Sequence, residues 1–435
     1  MDHKRTANLI PAGNTLPFIL VTALFLFWGL PNNLNDILIR QFMKTFEISR
    51  LQAGLVQSAF YMGYFLLAMP AAMIMRKFSY KTGLVIGMLL FSLGTFLFWP
   101  AAHIGKYGFF LFALFVIASG LSFLETGANP FIASLGDPDS SERRLNFSQA
   151  FNPVGAILGV LIGTIFIFSG IEPGEAEIAV MKAAGTYDKF LEKEIMRVVT
   201  PYMVIGIAVL IWAFIIIRTK FPTIRAEQED PNHRTRFADL IKFPHFLKGV
   251  FAQFCYVGAQ VGTWSYFIQY AQDYTGMAEK SAGYFLTGTL IAFGVGRFSA
   301  TYIMRFFEPR KLMGLYSLIN IALVGISILN PGWIGVWSIF LTSFFMSLMF
   351  PTIFALGLKG LGPHTKIAGS FIVMAIVGGA IFTPLMGLVA ATSMAKAMLI
   401  PLACYIVVAF YAYRGSKPSN ITDIQQEETV TLSSH

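Results

Sequence analysis

Charge is scarce in this 435-residue chain: Asp, Glu, Lys and Arg together make up 13%, about half the share of an ordinary soluble domain. Cysteine is scarcer still. Cys255 and Cys404 both fall inside apolar runs, far apart in sequence, which gives no disulfide framework and no metal-type spacing. The sequence has no HExxH, phosphate-binding glycine loop, paired CxxC or nucleophile elbow, so no enzyme chemistry and no cofactor is expected. Lys4 and Arg5 precede the first apolar run, but no small-residue cleavage site follows it, so that run is expected to be a retained helix. What the chain has in excess is apolar surface, with 55% hydrophobic residues and a mean hydropathy of +0.64. Single cores stop growing at roughly 250–300 residues, so the surplus needs lipid as its solvent. A soluble enzyme, a disordered scaffold and a nucleic-acid binder are all disfavoured.

A helix needs about 20 apolar residues to cross the hydrocarbon layer. Twelve such runs are present, near 17–40, 52–74, 84–102, 108–135, 147–170, 201–217, 246–270, 281–303, 313–330, 333–357, 368–389 and 394–413. The fold class expected is therefore all-α: a membrane protein of twelve transmembrane helices in two six-helix halves. An N-terminal half over 1–217 and a C-terminal half over 246–413 are separated by a polar central loop, 218–245, and followed by a tail, 414–435. An even number of spans puts both termini on one side.

The net charge of +9 is a topology signal. Connections on the side of the termini carry Arg76, Lys77, Lys81, Arg143, Arg144, Arg305, Arg310 and Lys311, and the central segment adds Arg218, Lys220, Arg225, Arg234, Arg236, Lys242 and Lys248. Opposite connections are sparser: Lys106 stands alone in one, Lys280 alone in another, the 313–330/333–357 hairpin has none, and the basic residues of the 171–200 loop are outnumbered by its acids. Positive charge marks the cytoplasmic side, so both termini are expected there. Asn146-Phe-Ser and Asn420-Ile-Thr match the glycosylation pattern, but on that assignment they face the cytoplasm and read as chance.

Two local similarities relate span n to span n+6. Asn129-Pro-Phe-Ile-Ala-Ser-Leu-Gly136 aligns with Phe350-Pro-Thr-Ile-Phe-Ala-Leu-Gly357, and Ile74-Met-Arg-Lys-Phe78 with Ile303-Met-Arg-Phe-Phe307. A parallel 6+6 repeat of this kind places a substrate near the midplane, between halves that rock around it.

Ionisable groups at membrane depth are costly and mark function by default. Asp36 and Glu125 are the only acids within the apolar runs, and Arg297 is the one base clearly inside. Asp36 closes a four-residue stripe with Trp28 and Asn32, Glu125 shares a face with Ser122 and Asn129, and the fifth span contributes Gln149 and Asn152. The seventh places Gln253, Tyr256, Gln260 and Trp264 along one side. Amides that donate and accept, set beside aromatic rings, suit a polyhydroxylated ligand whose C–H faces stack on the rings. A membrane carboxyl suits proton coupling, although a carboxylate with nearby amide oxygens also suits sodium. Each amide has the alternative role of interhelical glue, Asp36 that of an interfacial acid, and Glu125 that of a structural ion pair. Arg297 reads as a structural partner for an acid or for carbonyls. Gly155-x-x-x-Gly159-x-x-x-Gly163 reads as close packing.

Asn32-Asn-Leu-Asn-Asp-Ile-Leu38, Gln52-Ala-Gly-Leu-Val-Gln-Ser-Ala-Phe-Tyr61, Leu124-Glu-Thr-Gly-Ala-Asn-Pro-Phe131 and Pro351-Thr-Ile-Phe354 resemble the fucose–galactose–glucose:proton symporter family of the major facilitator superfamily. Ala252-Gln-Phe-Cys-Tyr-Val-Gly-Ala-Gln260 and Trp264-Ser-Tyr266 resemble its L-fucose-transporting members most. The resemblance implies the major facilitator fold and a multi-pass transporter of the bacterial inner membrane, working as a monomer by alternating access on a monosaccharide and protons. It also implies that Asp36 and Glu125 are the essential membrane acids and that Gln149 and Asn152 belong to the sugar pocket. There are two departures that bear on the sugar. Phe350 stands where the fucose-transporting pattern has tyrosine, as glucose/galactose members do, and Gln269 replaces a basic residue. L-fucose is favoured, with glucose, galactose or N-acetylglucosamine as alternatives. A multidrug exporter of the same fold would need a greasier cavity, and a sensor would need a sizeable output domain.

Overall fold

Apolar side chains around a helix's whole circumference leave the backbone no partner but itself in lipid, so each long run closes its own hydrogen bonds. The structure is a computed structural model that describes residues 13–135, 144, 147–222, 240–304, 306–359, 361 and 365–417; every element among them is helical. Arg143, Arg225, Arg234, Arg236, Arg305, both glycosylation-pattern asparagines, most of the central loop and the tail beyond 417 lie outside the described residues.

Among the described residues ten helices are long and apolar enough to cross a membrane: Thr15–Phe46, Arg50–Met75, Tyr80–Ile104, Tyr107–Asn129, Phe147–Ile167, Tyr187–Arg218, Pro309–Leu329, Trp333–Leu358, Phe371–Ala390 and Met394–Gly415. They are the first to sixth and ninth to twelfth of the twelve spans. The seventh (Pro244–Ser265 and Phe267–Thr275) and the eighth (Glu279–Ile303) are more polar, carrying Gln253, Gln260, Gln269 and Arg297. Helices outrun the apolar stretches that signal them. The sixth begins at Tyr187 rather than near 201, because Glu194, Ile195 and Val198 are buried along one face of its first turns.

Helix packing repeats between the halves. In the first six spans, one packs on five, two on four, three on four and three on six; in the second six, seven packs on eleven, eight on ten, nine on ten and nine on twelve. Shifting each number by six converts one set into the other. Between the halves, two packs on eleven and five on eight, a pair that the same shift exchanges. The expected repeat is thus visible as contact topology, the physical form of a two-fold related bundle.

The glycine ladder does what its spacing predicts. A Cβ on Gly155 or Gly159 would run into the carbonyl oxygens of Leu26 and Leu30, so these glycines let the fifth span lie directly on the backbone of the first.

Candidate functional site

The spans alternate between a terminal end, where the first span starts and the twelfth finishes, and a far end, where the one–two and seven–eight turns lie. At the far end the second span opens with a capping box: the Ser49 side chain accepts from the Gln52 amide, and the Gln52 side chain accepts from the Ser49 amide. That fixes Arg50 at the seam between halves. Its guanidinium donates to both oxygens of Asp273 at 2.8 and 2.6 Å and to the Ala390 carbonyl at 2.9 Å, while its own carbonyl accepts from the Tyr266 hydroxyl. A Cβ on Gly54, one turn on, would stand 2.8 Å from Pro384 Cα.

Deeper along the same seam sits Asp36, which is 2% exposed. Oδ1 accepts from Gln57 Nε2 at 2.9 Å and from Ser265 Oγ at 2.9 Å, and Oδ2 accepts from Asn33 Nδ2 at 3.3 Å. Gln57 also donates to Ser265 Oγ at 2.9 Å. Asp36 and Gln57 belong to one half and Ser265 to the other, so a single carboxylate is hydrogen-bonded across the divide. Ser265 is the last residue of its helix, which breaks at Tyr266 before resuming at Phe267.

Glu125 is in a different setting. It keeps partial exposure, as do Asn129, Gln149, Asn152, Gln260 and Phe350. Asn129 Nδ2 donates to the Glu125 carbonyl at 3.1 Å, and Gln149 Nε2 donates to Asn129 Oδ1 at 3.1 Å, which links the fourth span to the fifth. Asn152 Nδ2 reaches the Phe25 carbonyl at 3.5 Å. Between the two acids stands Tyr61, within electrostatic reach of both carboxylates; Tyr64 feels Glu125 and donates to Asn32 Oδ1 at 3.5 Å. Trp28 stands beside Tyr64 with its indole N–H buried.

The seventh-span stripe divides. Tyr256 is fully buried, its hydroxyl donating to the Met346 carbonyl at 3.0 Å, and the Trp264 indole donates to Ser343 Oγ at 3.0 Å. Both therefore turn toward the tenth span of their own half. Gln253 is buried with its amide nitrogen and oxygen unpartnered, and Gln260 remains half-buried. Phe350 packs edge-on to Tyr256 at 6.4 Å. Arg297 is explained by carbonyls: Pro351 has no N–H for the Ser347 carbonyl four residues back, and Arg297 Nε donates to that oxygen at 3.4 Å. Gln269, whose identity bore on the sugar, faces Met43 Sδ at 3.6 Å on the seam instead.

Several participants were not singled out from sequence. Gln57 and Ser265 carry no special signal among the many amides and hydroxyls of apolar helices. Glu194 and Glu279, 2% and 0% exposed, are buried acids just outside the apolar runs, which had suggested only two such groups.

A family model described as Major Facilitator Superfamily matches residues 17–384. The L-fucose-proton symporter of Escherichia coli (strain K12) is 43% identical over 93% of this chain and 94% of that protein. The glucose/galactose transporter of Brucella abortus (strain 2308) is 35% identical, over 95% of this chain and 97% of that protein. A crystal structure of the E. coli fucose:proton symporter superposes with a TM-score of 0.70, covering 92% of this chain and 99% of that one.

Proposed function

The chain belongs to the major facilitator superfamily, and we propose that it takes up a monosaccharide, L-fucose foremost, together with a proton across the bacterial inner membrane. It is a multi-pass membrane transporter of the sugar:proton symporter kind, and its similar relatives are transporters rather than enzymes. L-fucose is favoured because the fucose-transporting relative shares 43% of aligned residues against 35% for the glucose/galactose one. Phe350, which lacks the hydroxyl of the fucose-transporting pattern, supports glucose or galactose as the second reading.

The surplus of Lys and Arg around the terminal end supports a cytoplasmic placement for both termini. The far end then faces the periplasm. With Arg50–Asp273 and Asp36–Ser265 bonded across the halves near that end, the arrangement corresponds to a carrier closed outward. Both halves of the path come from one chain, which supports action as a monomer.

The observation that carries the reading is the seat of Asp36. Its carboxyl belongs to one half and is held by a hydroxyl of the other, so a change in its charge acts directly on the contact that must break for the outer side to open. Glu125, Asn129, Gln149 and Asn152 form a second polar group that retains access, and mixed donors and acceptors there match sugar hydroxyls. Trp28, Asn32 and Phe350 supply further hydrogen-bonding and stacking surface, with Gln260 opposite. Tyr256 and Trp264 act behind them by positioning the seventh span against the tenth, and the buried amide of Gln253 offers a further donor and acceptor. A proton entering down a 100 mV potential supplies about 2.3 kcal/mol to the cycle.

The test is uptake of labelled L-fucose, D-galactose, D-glucose and N-acetylglucosamine into membrane vesicles, with and without a protonophore. L-fucose should be concentrated, and the protonophore should abolish the concentration. Accumulation of none of the four sugars, or accumulation that survives the protonophore and follows sodium, overturns the reading.

A further inference from the structure

A second set of charges lies on the far-end seam, away from Asp36. Arg40 of the first span approaches Glu172 at 3.5 Å and Glu279 at 3.5 Å; Lys44, one turn on, lies 2.7 Å from Glu194 and 3.9 Å from Glu279. Arg40, Lys44, Glu172 and Glu194 belong to the first half and Glu279 to the second. Glu172 binds the second half further, accepting from the Glu279 backbone amide at 2.6 Å and from Gln272 Nε2 at 2.8 Å. Other nearby charges are turned elsewhere. Arg197 donates to the carbonyls of Ile167 and Phe168, the Lys280 stem lies against Gly170, and Asp273 is taken by Arg50.

The count inside this cluster is uneven: two cations face three carboxylates. Lys44 is closest to Glu194, and Arg40 is shared between Glu172 and Glu279, which leaves Glu279 the surplus acid. It is also the least hydrated of the three, 0% exposed, with both carboxylate oxygens buried and lacking a hydrogen-bond donor. A surplus charge shut away from water is expensive, and taking up a proton is the cheapest relief. Glu279 is the first residue of the eighth helix, ahead of its apolar run.

We propose that Glu279 is a third proton-binding residue of the transport cycle, one that takes up a proton as the far end closes and releases it as that end opens. The proposal rests on the reading that the two halves part at this end. The bond formed is an O–H on the Glu279 carboxyl, with the proton drawn from water on that side; on opening, the carboxyl regains water, the O–H breaks and the proton returns. The closed arrangement holds more protons than the open one, so acid favours closure and rising pH toward neutrality favours opening.

The experiment uses purified full-length protein in lipid nanodiscs without sugar. Spin labels replace exposed Ala184 in one half and exposed Thr392 in the other, since the native thiols are buried. The background is Asp36→Asn with Glu125→Gln, which silences the two acids assigned to coupling. Between about pH 5 and about pH 7 the inter-label distance should lengthen with pH, the closed-to-open ratio falling up to about tenfold per unit there and levelling off above, as one proton held more tightly in the closed arrangement requires. Adding Glu279→Gln should remove the response. Glu172→Gln, at a more exposed position, evens the count of charges while leaving the Glu279 carboxyl in place and an amide oxygen to accept from its backbone N–H, and should move the response to lower pH. No response in the background, a response of opposite sign, or one that survives Glu279→Gln overturns the inference. Failure to transport sugar leaves this readout untouched and counts against the proposed function instead.

Discussion

Asp36 is surrounded by donors alone, from Asn33, Gln57 and Ser265. Asp36→Asn replaces one acceptor oxygen with an amide that must face a donor, and it removes the titratable group. Glu125→Gln removes the other. Each substitution should abolish concentrative uptake of L-fucose in energised vesicles, with sugar binding or exchange surviving in at least one of them; normal accumulation by both variants would refute their role. Ser265→Ala removes the cross-half donor to Asp36 and, with the same hydroxyl, the acceptor of Gln57. Losing one hydrogen bond to a buried charge costs about 1.5–3 kcal/mol, so the variant should shift toward the arrangement open at the far end, read as a longer distance between labels at Ala184 and Thr392. An unchanged distance would show that this bond does not hold the seam. At this scale sequence revealed the acids and hid their partners. A carboxylate in an apolar run is conspicuous, whereas a serine such as Ser265 looks like Ser317, which merely bonds the Met313 carbonyl four residues back.

At the scale of helices, proline connects sequence to assembly. Pro384 has no N–H for the Ala380 carbonyl, and Ser58 of the opposite half donates to that oxygen at 2.6 Å. Pro351 and the Ser347 carbonyl repeat the arrangement with Arg297. Irregular backbone at membrane depth is tolerated because side chains of neighbouring helices satisfy the freed groups. Pro384→Ala should let the Ala380 carbonyl bond within its own helix and weaken the second-to-eleventh span contact. The check is faster amide exchange at the far-end turns; unchanged exchange there would count against the idea. Gly159→Leu pushes a side chain into the Leu30 carbonyl and should cost about 1–3 kcal/mol or more, measured as a lower melting temperature in detergent. The spans themselves were legible because apolar length is a strong signal. Their ends were not: the first turns of the sixth helix bury Glu194 on one face and expose polar residues on the other, which an average over the window erases.

For the whole molecule, two weak sequence matches six spans apart anticipated a packing scheme in which nearly every helix contact has a counterpart in the other half. Which face of each helix meets the seam was not legible, since it depends on how the halves meet. That is why Arg50–Asp273 and the Glu279 cluster emerge only from the assembled fold. The central claim is that carbohydrate and proton move together through the contact at Asp36. It is tested most directly by adding L-fucose to de-energised, lightly buffered vesicles and following the external pH. The account predicts prompt alkalinisation that a protonophore collapses and that Asp36→Asn lacks; sugar entry with no proton movement, or with equal movement in Asp36→Asn, would contradict it.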